Sequence, residues 1–277
     1  MIVGIVGLGL MGGSFGRLLV QRGYTVYGID IDAQVMKKAR LVKAITEPLS
    51  VDNVGEVDML VIATYPRNFE SIATKYLPHM KEGAILSDFC GNKRIVIDAM
   101  RKLANDYSHI CFMGGHPMAG REYSGIDHSS IRLFDGASMI IVPYTQDISK
   151  LAMVKEFYLS LGFKQVEITS ADNHDSMIAY TSQLCHIVSN AFIKSESAQK
   201  HSGYSAGSYK DLTRVARLEP SMWSELMIDN KDKLSQELRL LIDNLTKYLV
   251  ALESADEETL RLLLSEGNER KKQIDKR

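Results

Sequence analysis

The apolar positions of the chain change period near residue 170. Before that point, short runs rich in β-branched residues recur: Ile2 to Val6, Tyr24 to Ile29, Asp58 to Thr64, Ala84 to Asp88, Ile110 to Met113, Ser138 to Val142 and Val166 to Ile168. Short, continuous and bounded by turn residues, they predict strands buried on both faces. Stretches of helical spacing separate them. Phe15, Leu18, Leu19 and Val20 repeat until Gly23, Ala33 to Leu41 closes on cations, Phe69, Ile72, Ala73 and Leu77 run to Pro78, and Ile95 to Leu103 and Ile148 to Leu161 follow. Alternating strands and helices predict a doubly wound parallel sheet. From Ser170 the strand signal disappears. Helices are predicted over 172–194, 210–217 and 220–252, and Ser254-Ala255-Asp256-Glu257 reads as a capping box for a last helix through Leu264. Leu234, Leu238, Leu241, Leu245, Tyr248 and Leu252 form a wide stripe. A helical half of this size leaves part of that stripe for a second copy, so a homodimer is expected; an ordinary core-facing stripe is the alternative.

Composition narrows the classes. The 277 residues are 45% hydrophobic and 24% charged, with a net charge of −1. That balance suits an ordinary globular protein and argues against a nucleic-acid partner. Apolar stretches are broken by charge well short of a membrane span, and no basic leader precedes the first strand, so a cytoplasmic protein is expected. Cys90, Cys111 and Cys185 are widely spaced and form no C-x-x-C pair, which points to reduced thiols and no metal site.

The first strand ends in Gly7, Gly9 and Gly12, a G-x-G-x-x-G turn that opens the first helix. The first glycine allows a tight turn, the second lets backbone approach a pyrophosphate, and the third lets helix pack on strand. Gly7, Leu8, Gly9, Leu10, Met11 and Gly12 would cradle phosphates at the positive end of the helix. Asp30 lies eighteen positions beyond Gly12, where a carboxylate accepts hydrogen bonds from ribose hydroxyls and repels a 2′-phosphate. NAD is therefore expected in preference to NADP. Thr64 and Asp88 end the next strands on the same edge and are further candidate cofactor contacts. The fold class that follows is α/β, an N-terminal Rossmann-type sheet domain over 1–169 and an all-helical C-terminal dimerisation domain over 170–277.

A dinucleotide needs a partner for hydride exchange. His116 lies between glycines at a strand end on the cofactor edge, and a neutral imidazole there can take a hydroxyl proton near neutral pH. A turn histidine satisfied by backbone is the plain alternative. Arg214 offers a fork for a carboxylate, although Asp211 three residues earlier would also serve as a helical ion-pair partner. His174 and His186 share one predicted helix, twelve residues or about 3.3 turns apart, so they share a face only loosely. Each is either a cleft residue or a structural histidine. Lys93, after the strand ending at Asp88, reads either as a solvated lysine or as part of the site. The small-residue segment 201–208 reads as a connector near the cleft or as a surface loop.

Several segments together resemble the prephenate dehydrogenase family. Gly115 to Gly120, GHPMAG, looks like that family's hallmark, GLGLMGGS its cofactor loop, and Asp88 to Lys93 its D-x-x-S-x-K turn. Asp172-Asn173-His174-Asp175 is similar to the His-Asp pair opening its interdomain helix, and Asp211 to Ala216, with Pro220 and Trp223, to its D-x-T-R segment. The resemblance implies NAD-dependent oxidative decarboxylation of prephenate, or of arogenate. His116 would be the base, Arg214 the substrate clamp, and His174 and His186 would line the cleft or support the site, His116 and Arg214 converging over the nicotinamide. Gly91 stands where many members carry a serine, and Arg121, beside Glu122, adds a cation near the substrate. β-Hydroxyacid dehydrogenases, imine reductases and a non-catalytic NAD(H) sensor are the other readings; the first two give GHPMAG no role.

Overall fold

The computed structural model describes residues 1–120, 123–144 and 147–276. They divide into two compact units, Met1–Asn230 and Lys231–Arg277. The first holds an eight-stranded sheet: β1 (Ile2–Val6), β2 (Thr25–Ile29), β3 (Glu47–Pro48), β4 (Met59–Ile62), β5 (Ile85–Asp88), β6 (Cys111–Pro117), β7 (Ser138–Pro143) and β8 (Gln165–Ile168), in the order β3-β2-β1-β4-β5-β6-β7-β8. The order reverses at β1, and β1, β4, β5 and β6 run parallel, so their carboxyl ends share one edge. That edge is where ligands of open α/β sheets collect.

Helices α1 (Leu10–Gln21), α2 (Ala33–Leu41), α3 (Phe69–Tyr76), α4 (Arg94–Ala104) and α5 (Ile148–Ser160) connect these strands. They bury two apolar layers. Phe15 and Phe89 meet edge-on at 4.8 Å in one, with Phe134 and Tyr158 beside them. The other gathers Phe69, Tyr76, Leu86, Met100 and Phe112. Each such fully buried side chain contributes roughly 1.5–3 kcal/mol over its exposed state.

Two features of the sheet depart from the sequence pattern. β3 is two exposed residues, Glu47 and Pro48, added to the edge, too short for any period to show. β7 runs antiparallel to β6, pairing His116 with Ile140 and Gly115 with Ile141, so the sheet is mixed. The alternation of apolar residues is the same for either direction, which is why the sequence predicts an all-parallel sheet.

Beyond the sheet come α6 (Ala171–Ile178), α7 (Cys185–Phe192), α8 (Gly207–Thr213) and α9 (Pro220–Asp229), with a π-helical turn, Ala179–Leu184, between α6 and α7. Glu219 caps α9, accepting from the Ser221 and Met222 amides at 3.1 and 2.6 Å, with Pro220 as first helical residue. These helices belong to the same compact unit as the sheet, whereas the change of period at 170 suggests a domain boundary there. Buried polar contacts between α6 and the β5–α4 turn, described below, tie them to it.

The second unit is α10 (Lys231–Glu253) and α11 (Glu257–Asp275). The single helix expected over 220–252 breaks at Asn230, whose backbone leaves the helical region at φ −118° and ψ 23°. The last helix continues past Leu264, and its cap is Asp256, which accepts from the Thr259 amide at 3.0 Å. Ser254 instead donates back to the Val250 carbonyl at 2.8 Å. Leu245, Leu249, Leu252 and Leu262 are exposed on these helices. Among the described residues, no helix is long and apolar enough to cross a membrane.

Candidate active site

At the switch point the glycine turn is built to bring backbone close to a ligand. Gly7 has φ +91°, and a Cβ there would meet the Ala63 carbonyl at 2.6 Å. A Cβ on Gly12 would lie 1.9 Å from the Gly7 carbonyl oxygen, while one on Gly9 would meet nothing within 4 Å. The space beside Gly9 is where a pyrophosphate can approach. Gly9 caps α1 without a side-chain bond and the first turn carries no acid, so its amide donors remain available to an anion. Asp30 accepts from the Leu8 amide at 2.7 Å and from the Asp32 amide at 3.0 Å, which ties the carboxylate at the end of β2 to the glycine turn. Leu8 itself is fully buried, so it contributes its amide and not its side chain. Leu10 and Met11 form the first turn of α1. Thr64 closes the other side of Gly7, its methyl lying 2.9 Å from the Cβ position there. These residues fit a dinucleotide.

Along the same edge, β6 delivers His116 into a chain of buried groups. His116 Nδ1 lies 2.8 Å from His174 Nε2, and His174 Nδ1 lies 2.7 Å from Asp175 Oδ1. Asp175 accepts two main-chain donors at the start of α4, from Lys93 N at 2.7 Å and from Arg94 N at 3.0 Å, and the Arg94 Nε at 3.2 Å. Burial alone would raise the Asp175 carboxyl, but the bonds from His174 and from the Lys93 and Arg94 amides outweigh it and hold it below the ordinary carboxylate range. Burial lowers both histidines; for His116 the neighbouring His174 adds to this, while for His174 the bond to Asp175 partly opposes it. Both are therefore neutral at pH 7, and the tautomers follow. An ionised carboxylate only accepts, so His174 Nδ1 donates to it; His174 Nε2 then accepts from His116 Nδ1, and His116 Nε2 keeps its lone pair.

The β5–α4 turn supports this arrangement from below. Asp88 and Lys93 form an ion pair in which both side chains are wholly enclosed. Asp88 also accepts from the Cys90 amide at 2.8 Å and the Gly115 amide at 3.1 Å. Asp88 thus holds the strand that carries His116 and is closed to the cofactor it was expected to touch. Lys93 is likewise no solvated lysine. His174 is 1% exposed, so of the two expected places, lining the cleft or supporting the site, its burial fits the second. Gly91 packs on α9: a Cβ there would sit 3.1 Å from Leu226.

The remaining candidates lie toward the helices. His186 Nδ1 donates to the Val215 carbonyl at 2.9 Å and its ring lies 4.0 Å from that of Trp223. Arg214 is exposed and lines a cavity of about 690 Å³ with Tyr123, Ile193, Thr213, Ala216 and Arg217. His116 is not among those walls, so the expected convergence of the two over one ring is not built from this cavity alone. Arg121 lies outside the described residues. Among the described residues no cluster of His, Cys, Asp or Glu is arranged to hold a metal.

Comparison with known proteins decides the lineage. Residues 15–167 match the family model for the prephenate dehydrogenase nucleotide-binding domain, and residues 170–266 match the prephenate dehydrogenase dimerization domain. The chain belongs to the prephenate dehydrogenase family. It is 26% identical to the cyclohexadienyl dehydrogenase of Zymomonas mobilis, covering 93% of this chain and 90% of that one. It is 28% identical to the prephenate dehydrogenase of Bacillus subtilis, covering 92% and 71%. The crystal structure of the Aquifex aeolicus prephenate dehydrogenase with hydroxyphenyl propionate and NAD+ superposes with a TM-score of 0.85 at 28% identity, over 99% of this chain and 98% of that one.

As a member of the prephenate dehydrogenase family the chain is an NAD-dependent dehydrogenase with a nucleotide-binding sheet domain. The sequence pattern picked out His116, His174 and Asp175. It missed Arg94. No spacing rule reaches Arg94, because it meets Asp175 only after the sheet and α6 have packed.

Proposed function

We propose that this protein catalyses the NAD-dependent oxidative decarboxylation of prephenate to 4-hydroxyphenylpyruvate. The observation that carries the reading is the ordered chain Asp175–His174–His116, which leaves an unprotonated Nε2 on the sheet edge that also bears the glycine turn. Gly7 to Gly12 and Asp30 would hold NAD+, which when bound supplies the hydride acceptor. His116 Nε2 accepts the proton of the C4 hydroxyl as C4 gives up its hydride. The bond to the ring carboxylate breaks, its electron pair enters the ring, and CO2 leaves an aromatic product. His174 and Asp175 share the positive charge on His116 until its proton returns to the C4 oxygen, where the electron pair has come to rest, giving the phenol of the product. Arg214 holds a substrate carboxylate through its fork, and His186 steadies the 213–217 segment through the Val215 carbonyl.

The exposed leucines of α10 and α11, in a segment matching a dimerization domain, support a homodimer. Initial rates of NADH formation with prephenate and with arogenate, each with NAD+ and NADP+, test the reading. Prephenate with NAD+ is expected to be fastest. Faster turnover of arogenate would reassign the substrate, and tight NADH binding without turnover of either would replace the enzyme by a sensor.

A further inference from the structure

The carboxylate that orders the two histidines is itself held from behind by a buried amide. Asn230 is fully buried and ends the first compact unit. Its Nδ2 donates to the Asp175 main-chain carbonyl at 2.8 Å and to Gln183 Oε1 at 2.9 Å. Its Oδ1 accepts from Arg94 Nη2 at 2.8 Å, and the same guanidinium reaches Asp175 Oδ2 through Nε at 3.2 Å. Asp175 is thus gripped at its backbone directly and at its carboxylate through Arg94.

The direction of every amide in this network is forced from both ends. The Leu226 carbonyl only accepts, so Gln183 turns Nε2 toward it at 3.1 Å and toward Asn92 Oδ1 at 3.2 Å. Asn92 Nδ2 donates to the same carbonyl at 2.8 Å. Gln183 then presents Oε1 to Asn230. At the other end the guanidinium only donates, so Asn230 must present Oδ1 to it. Gln183 sits in the π-helical turn Ala179–Leu184, a local widening that recurs where a helix must aim a particular side chain. Asn92, Gln183 and Asn230 are each 0–1% exposed, and buried amides with their partners met are costly to disturb.

We propose that Asn230 is a positioning residue for the His116 base. By fixing Asp175 at two points it keeps His174 in the tautomer that leaves His116 Nε2 unprotonated. The groups acting on these rings are few: His174 and Lys93 bear on His116, and Asp175, Lys93 and Asp88 bear on His174. None of them is Asn230, so its influence passes through placement. The role as a base rests on the function proposed above, whereas the tautomer does not.

The test pairs kinetics with ¹⁵N NMR of histidine-labelled protein. In Asn230→Ala, kcat is expected to fall about 10- to 100-fold, as for a modest misplacement of a reacting group, with KM for NAD+ within about twofold. The acid limb of kcat/KM should move down, because a displaced Asp175 no longer raises the histidine pair through its bond to His174, and the His174 signals should show mixed tautomers. Arg94→Lys, at a partly exposed side chain, should give the same changes in smaller degree. A folded Asn230→Ala with wild-type tautomer and an unmoved acid limb overturns the proposal, whatever its kcat. If Asn230→Ala does not fold, Arg94→Lys decides by the same two readouts. If the wild type turns over neither substrate, the functional reading fails and the tautomer comparison alone judges Asn230.

Discussion

The two halves of the candidate site are built in opposite ways. The dinucleotide end is made of backbone: glycines at Gly7 and Gly12 that no other residue can replace, and the amide donors at the start of α1. The base end is made of side chains: two imidazoles, the Asp88 and Asp175 carboxylates and the Lys93 ammonium, contributed by β5, β6, α6 and the turn before α4, all buried except the partly exposed His116. A backbone site depends on conformation and tolerates any side chain that points away. A side-chain site depends on protonation and fails when one partner is altered, even if the fold survives.

Substitutions separate the two halves. The largest effect is expected for His116→Asn, which should lower kcat by about 10²- to 10⁴-fold while NADH affinity, read by fluorescence titration, stays within about twofold. A parallel loss of NADH affinity would show that the two ends are one structural unit. Gly12→Ala should do the reverse. Its Cβ would lie 1.9 Å from a carbonyl oxygen, so backbone must move, at a cost of about 1–3 kcal/mol in urea unfolding and with weaker NADH binding. Gly9→Ala meets nothing within 4 Å and should leave stability within about 0.5 kcal/mol, yet weaken NADH binding by standing in the ligand's path. Equal losses of stability in the two glycine variants would refute the division of labour between them. Arg214→Gln should raise KM for the acid substrate by about tenfold, the value of a charge-assisted bond, with KM for NAD+ unchanged.

The smallest effect is a pH dependence that only the side-chain end should show. Burial holds His116 and His174 below the ordinary histidine value, so the unfolded chain binds protons that the folded one refuses. Their contribution to stability is complete above about pH 6.5 and is lost progressively as the pH falls below it, at up to roughly 1.4 kcal/mol per pH unit for each histidine. Asp175 adds a second loss at lower pH, because its depressed carboxyl stabilises the fold only above its own titration. Urea midpoints at pH 7.5 and 5.5 check this: the wild type should be weaker at 5.5. In His116→Asn the difference should shrink.

The same contrast explains what could be read from the chain alone. The strand, glycine turn, helix and Asp30 are consecutive, and their spacing carries their geometry. His116 stood out because glycines flank it. His174 and Asp175 were visible as a pair, but nothing local says that both are buried, that Lys93 turns inward to Asp88, or that Asn230 breaks a helix in order to reach Asp175. Those choices are made by packing between segments far apart in sequence, where a lysine normally sits in water and an asparagine is only a weak helix former. The antiparallel β7 was hidden for a related reason: apolar alternation records which residues face the core and not which way the strand runs.

That reversed strand fixes more than topology. His116 is paired across the ladder with Ile140, and the residue before it is tied through its amide to Asp88. A base laced into a sheet in this way is a stationary jaw. In the proposed function the acid is brought to this fixed imidazole by the segment that carries Arg214, so substrates of different bulk are expected to be accommodated from that side.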